Sequence, residues 1–293
     1  MTLGLLLAAI PLAYFAVVLV LTAAYFALAW FFRARRPPEV RIGMRATLRL
    51  VWREYLALVG AVPRLVLHRF IVRDPPPSRV DVPVVLVHGV LCNAGIWTRF
   101  VRFLGRADVA GVYALSYGPP LASIEAFAEQ LARKIDEALA ATAARQVIVI
   151  AHSMGGLVAR AYLRRYGAAK VARVLTIGSP HHGSVFASCF PGVCLAQMRL
   201  GNPWLARLNA APRDPALRFV SLWSWHDSMV APQTSSELPG AIDVPLIGIG
   251  HNALLGDAQV FAYALAEIVA ARSAHTPDAA SSGAAPGGQG QAG

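Results

Sequence analysis

The stretch Val147-Ile148-Val149-Ile150-Ala151-His152-Ser153-Met154-Gly155-Gly156-Leu157-Val158-Ala159 leaves the backbone few choices. Four β-branched residues in succession favour an extended strand, and a strand apolar at every position needs cover on both faces, as in a parallel sheet. The residues after Ser153 are small and then adopt a helical pattern, so strand must give way to helix at Ser153 itself. A serine held at such a turn sits in a strained backbone conformation with its hydroxyl presented outward, and its neighbours two positions away must be small. Ala151 and Gly155 meet that demand, although glycine is the more usual residue at the first place. Ser153 is therefore the candidate nucleophile, set against the plainer reading of a helix N-cap serine.

The same alternation runs through the neighbouring chain. Apolar runs of strand length occur at 82–87, 112–115, 174–177, 219–223 and 244–249, separated by helical patterns at 123–140, 153–166 and 257–271. Strand and helix in alternation predict an α/β fold with a mostly parallel sheet flanked by helices. The Gly/Pro-punctuated stretch at about 181–215 carries Phe186, Phe190, Met198 and Trp204. It reads as a small cap insertion or as a long loop with one helix packed down. Residues 273–293 are rich in Ala, Gly, Ser, Gln and Pro and predict a disordered tail. The division expected is 1–32, 33–78, 79–272 and 273–293.

A serine needs a general base, and the base a carboxylate to orient it. His251 comes after the last apolar run and precedes the last helix, which makes it the candidate base. Asp227 comes after the run at 219–223 and is the candidate acid, whereas Asp243 and Asp257 read as caps or surface groups. A developing oxyanion needs two fixed donors. The amide after the nucleophile, at Met154, is one; Val90, in the turn beyond Val84-Val85-Leu86-Val87-His88-Gly89, is the other.

From Thr2 to Phe32 there is no charged side chain, and the run ends in Arg33-Ala34-Arg35-Arg36. At about 1.5 Å per residue such a helix can cross a bilayer, and it lacks the basic start and small-residue cleavage site of a signal peptide. An uncleaved, single-pass anchor, as in a bacterial inner membrane, is expected. The net charge of +11 could suggest nucleic acid, but ten arginines against Glu39 and Glu54 place +8 of it within residues 33–73. Arg33, Arg35, Arg36, Arg41, Arg45, Arg49 and Arg53 therefore suggest anionic headgroups as the partner and exclude nucleic acid as the favoured one. The alternative is a helix packed on the enzyme with its arginines solvated. The positive-inside rule favours the cytoplasm for the chain beyond residue 32, while a Cys189–Cys194 disulfide would imply an oxidising compartment. The side of the membrane and the oligomeric state stay open.

Taken together, Val87-His88-Gly89-Val90, Trp97, Ala151-His152-Ser153-Met154-Gly155-Gly156, Gly178-Ser179-Pro180-His181-His182-Gly183, Asp227 and Gly250-His251 resemble the lipases and esterases of the α/β-hydrolase superfamily, the small bacterial triacylglycerol lipases in particular. The resemblance covers about residues 80–271 and leaves 1–78 outside it. It implies the α/β-hydrolase fold and carboxylic ester hydrolysis through an acyl-enzyme, with no metal and no cofactor. By that resemblance His181 and His182 shape the substrate pocket without transferring protons, and His88, Gly89, His152, His182 and, in the cap, Trp204 are the candidate substrate-binding residues. Two rival readings keep the fold: an acyltransferase that uses the same three residues, and a non-catalytic membrane scaffold.

Overall fold

A computed structural model describes residues 3–212 and 214–275. Six strands form one sheet: β1 (Val84–Val87), β2 (Val112–Ala114), β3 (Val147–His152), β4 (Val171–Ile177), β5 (Arg218–Ser224) and β6 (Ile242–Leu246), in the order β2-β1-β3-β4-β5-β6. Every pairing is parallel. Because side chains alternate across a strand, Val85, Val87, Val149 and Ala151 face one core, and Val84, Leu86, Ile148 and Ile150 face the other. The first face is covered by α5 (Ile124–Thr142) and α6 (Met154–Tyr166), the second by α4 (Thr98–Arg106) and α9 (Ala258–Ser273). Continuous apolar strands are thus explained by two covered faces.

The helix starts obey local chemistry. Ser123 Oγ accepts from Ala126 N at 3.2 Å to cap α5, and Asp257 accepts from Gln259 N at 2.9 Å to cap α9. Asp257 is the cap that its sequence position suggests. β6 ends earlier than the apolar run, at Leu246, because the chain turns at Gly248 with φ +73° before delivering His251. Helix α9 runs to Ser273, two residues beyond the expected end, and residues 276–293 of the tail read as disordered lie outside the described residues.

The 181–215 stretch supplies α7 (Val193–Gln197) and α8 (Pro203–Ala210), whose Leu195, Leu205 and Leu208 join the core beneath α5 and α6. Cys189 and Cys194 are both free thiols, Cys189 exposed and Cys194 buried.

At the N-terminus, α1 (Leu3–Phe31) contains the 23 residues Ala9–Phe31, a helix long and apolar enough to cross a membrane, with mean hydropathy 2.3. Most of it is exposed, and one stripe, with Val18, Thr22 and Ala29, is buried. The helix α2 (Met44–Val66) packs beside α1, with Tyr14 Oη donating to Val59 O at 2.6 Å. It is succeeded by α3 (His68–Ile71). Within the 33–78 segment, α2 and the residues after it pack on the sheet-bearing part of the chain, the second of the two arrangements that the sequence left open. Asn93 Nδ2 donates to Leu65 O at 3.0 Å, and Gly95 lies so close to Arg64 that a Cβ there would come within 2.1 Å of the Arg64 carbonyl oxygen. The reason is the inward face of α2, where Leu50, Glu54, Ala57 and Leu65 recur at helical spacing and meet the sheet side of the molecule. Arg41 precedes α2, so the basic stripe on the helix is shorter than four residues, and Arg53, still partly exposed, pairs with Asp257 at 2.7 Å.

Candidate active site

Strand register brings the relevant loops together. Val87 pairs with Ala151 and His152 with Ile177, so the turns after β1, β3 and β4 leave the sheet side by side at its carboxyl edge. Ser153 has φ +55° and ψ −128°, a backbone conformation costly for a residue with a side chain. Its amide is fixed by donating to Ile177 O at 2.9 Å. Close packing enforces the small residues around it. A Cβ on Gly155 would lie 2.5 Å from Val87 O and 2.7 Å from His88 O, and one on Gly89 would lie 2.9 Å from Ser153 Cβ. The glycines allow α6 to start hard against the end of β1. Ser153 itself remains half-buried and accessible, while Ala151, His152 and Met154 are buried.

Asp227 and His251, 24 residues apart in the chain, are each 2% exposed and bonded to one another: Nδ1 lies 2.8 Å from Oδ2 and 3.1 Å from Oδ1. Oδ1 also accepts from the amides of Met229 and Val230 at 2.8 and 2.7 Å, which fixes the carboxylate plane. Donation from Nδ1 to a carboxylate assigns the tautomer that leaves the Nε2 lone pair available. Burial disfavours the imidazolium, but the Asp227 carboxylate, its hydrogen bond and the Glu54 carboxylate together outweigh burial and hold the His251 value above the ordinary one. A general base has to be neutral, so with the candidate base His251 in that role kcat/KM is expected to fall as pH drops through its raised value, with an acidic limb above about 6.5. A pH profile of initial rates measures this directly, and a limb below the ordinary imidazole value contradicts it.

The ring of His251 lies 4.7 Å from that of His152, the residue preceding the nucleophile. Among the described residues no hydrogen bond links Ser153 Oγ to His251; in serine hydrolases this contact is often long before substrate binds. The amides of Val90 and Met154 donate to no other group among the described residues. Met154 N is one of the first amides of α6, which have no partner within the helix, so it is a donor in want of an acceptor.

The structure places the residues expected to line a substrate pocket as follows. His88 is buried, stacks on Tyr117 with ring centroids 3.8 Å apart, and bonds Gly89 O through Nδ1 and Tyr117 N through Nε2. Burial pushes its value down to about 4, so it is a neutral brace for the turn that carries Val90. His152 is buried too, its Nε2 3.3 Å from His251 O, and burial with the neighbouring His251 holds it neutral. Gly89 does adjoin the nucleophile. His182 is exposed and its amide is bonded to Ser235 O at 3.0 Å. Trp204 donates from Nε1 to Glu125 at 2.8 Å and lies 5.8 Å from the Arg164 guanidinium. Arg164 is in the last turn of α6, about 15 Å along the helix from its start at about 1.5 Å per residue, so the indole belongs to the end remote from Ser153.

One functional candidate is not apparent from sequence pattern. Glu54 of α2 is fully buried, and its carboxylate accepts from Ser228 Oγ, from Asn252 N and Nδ2, and from Ala253 N, all within the loops of Asp227 and His251. The available signal is an acid in phase with Leu50, Ala57 and Leu65 on the apolar side of an otherwise arginine-rich helix.

A model of the alpha/beta hydrolase family matches residues 84–287. The chain belongs to that family. Within it, the chain is 36% identical to a triacylglycerol lipase of Pseudarthrobacter phenanthrenivorans over 112 residues, covering 36% of this chain and 35% of the relative. A triacylglycerol lipase of Burkholderia plantarii is likewise 36% identical over 112 residues, which cover 36% of this chain and 31% of the relative. The chain thus spans about a third of the length of these relatives. Among solved structures, the mature Bacillus licheniformis lipase BlEst2 superposes with TM-score 0.58 at 17% identity, covering 67% of this chain and 96% of that one. Aspergillus fumigatus lipase B superposes at 0.54 and 22% identity, covering 63% of this chain and 52% of that one. At such identities these structures bear on the fold alone. Among the described residues no cluster of His, Cys, Asp and Glu is arranged to hold a metal.

Proposed function

We propose that this α/β hydrolase is a membrane-anchored serine hydrolase that cleaves carboxylic esters of acyl chains or lipids. The carrying observation is the Asp227–His251 pair, bonded at 2.8 Å and set beside a strained serine elbow with two unused amides. Ser153 Oγ attacks the ester carbonyl carbon as His251 Nε2 takes its proton, and the carbonyl oxygen becomes an oxyanion between the Val90 and Met154 amides. The tetrahedral intermediate collapses, the C–O bond to the alcohol breaks, and His251 returns the proton to the departing alkoxide. Water then repeats the sequence on the acyl-enzyme, releasing the carboxylic acid and restoring Ser153.

The lipid part of the reading is supported by the surface. Met44, Leu48, Trp52 and Leu56 recur on successive turns of α2 and are all exposed, continuing the exposed apolar surface of α1. Beside them a cavity of about 1030 Å³ is lined by Trp30, Phe31, Leu50 and Val51 together with Arg33, Arg35, Arg36 and Arg41, and it reaches Asp227 on its inner side. A lining that combines apolar side chains with arginines suits an anionic headgroup and its chains, and Arg45 and Arg49 are exposed on α2. Fluorophosphonate labelling of the full chain in detergent, with p-nitrophenyl esters of increasing acyl length as substrates, tests the function. Labelling at Ser153 and turnover favouring longer chains are expected. A chain that neither labels nor turns over any ester refutes the hydrolase reading, and a preference for the shortest esters refutes its lipid part.

A further inference from the structure

We propose that Glu54 is a positioning residue for catalysis: its buried carboxylate ties the loop bearing Asp227 to the loop bearing His251. The inference rests on the triad of Ser153, His251 and Asp227 and adds a fourth residue to it, from a helix that sequence places outside the hydrolase domain.

Its geometry is unusually complete for a residue so far away in the chain. Oε1 accepts from Ser228 Oγ at 2.7 Å, from Asn252 N at 3.0 Å and from Asn252 Nδ2 at 2.9 Å, and Oε2 accepts from Ala253 N at 2.9 Å. Ser228 is the next residue after Asp227, and Asn252 and Ala253 are the next two after His251. Ser228 Oγ in turn accepts from His251 N at 3.3 Å, so one hydroxyl separates the carboxylate from the amide of the base. No cation pairs with Glu54 among the described residues. A buried carboxylate without a cation persists only when donors replace its lost water, and here every donor belongs to one of the two catalytic loops.

Space has been left for the contact. A Cβ on Gly250, the residue before His251, would lie 2.5 Å from Glu54 Oε2, so any other residue there would drive the carboxylate out. The titratable groups that face the His251 ring or its loop are Asp227 and His226 on the β5 side, the latter accepting from Gly248 N at 3.1 Å, Glu54 from α2 and His152 from β3; burial holds His226 and His152 neutral. Glu54 thus supplies both a mechanical link and a second negative charge. The seating of α2 therefore bears on the spacing of acid and base.

The test uses the full chain in detergent micelles with a p-nitrophenyl ester, comparing Glu54→Gln, Ser228→Ala and Ser153→Ala. Glu54→Gln keeps shape and loses charge. We expect kcat to fall roughly 10- to 100-fold with KM little changed, in line with the cost of a small misplacement of catalytic groups. We also expect the acidic limb of kcat/KM to move to lower pH, because removing a nearby anion favours the neutral imidazole. Ser228→Ala keeps the charge but cuts one link; a smaller fall in kcat with an unmoved limb is expected. Folding is monitored by thermal unfolding, and if Glu54→Gln does not fold, Ser228→Ala alone decides. A folded Glu54→Gln with wild-type kcat and an unmoved limb overturns the proposal, as does wild-type kcat in Ser228→Ala. An active Ser153→Ala instead overturns the triad assignment, whereas an inactive Ser153→Ala beside an unimpaired Glu54→Gln removes only the role given to Glu54.

Discussion

Ser153→Ala is expected to lower kcat by about 10⁶-fold while leaving the melting temperature close to that of the native chain. The loss is large because the attacking atom disappears, and His251 and Asp227 have no other nucleophile to activate. Some acceleration over the uncatalysed reaction survives, about 10³-fold or more, since the amides at Val90 and Met154 still stabilise an oxyanion formed by direct attack of water. Stability is preserved because alanine keeps the Cβ: the elbow at φ +55° stays as strained as before, and Ser153 Oγ has no hydrogen bond to His251 to lose. Circular dichroism melts with steady-state rates on one ester separate the two effects. Turnover near the native rate in a folded Ser153→Ala removes the nucleophile assignment.

The second large effect is expected at Asp227→Asn, about 10⁴-fold in kcat. The direction in which the new amide must point is dictated by its surroundings. Oδ1 accepts two backbone N–H bonds, from Met229 and Val230, so the carbonyl oxygen of an asparagine has to occupy that place. The NH₂ group then falls where Oδ2 was, 2.8 Å from His251 Nδ1. A donor facing Nδ1 forces that nitrogen to accept, moves the ring proton to Nε2, and leaves no lone pair for Ser153. The raised value of His251 goes with the carboxylate, so the acidic limb of the residual activity shifts downward as well. A variant that loses less than about tenfold would mean that another group orients the imidazole.

Much of this architecture is legible in the amino-acid order. Each apolar run contributes a strand. The central ones, β1 and the start of β3, are the continuous Val, Ile and Leu that a sheet covered on both faces asks for, while the edge strand β6 reads Ile-Asp-Val-Pro-Leu and is partly exposed. The elbow is legible too: strand propensity up to Ala151, then glycines at 155 and 156 that permit close approach and a helical pattern beyond them, leave one place for the turn. Asp227 and His251 stand out through chain order and through their loops after late strands. The features that escape are long-range. The destination of Trp204 depends on how α8 lies on α6, and its partner Glu125 is 79 residues away. His88 next to a catalytic turn looks like a pocket residue, yet its role is set by the stacking of Tyr117, which no local pattern announces. Glu54 is hardest, since its bonding partners lie 174 to 199 residues further on and its neighbours in sequence point to a lipid surface.

The way α2 is built into the domain has a practical side. Removing everything before the sheet would strip the Glu54 acceptor from Ser228, Asn252 and Ala253 and uncover the core residues against which Ala57 and Leu65 pack. A version of this protein without α1 therefore calls for a cut in the short connection 32–43 that spares α2, with polar replacements at Met44, Leu48, Trp52 and Leu56 on the face that α2 turns outward.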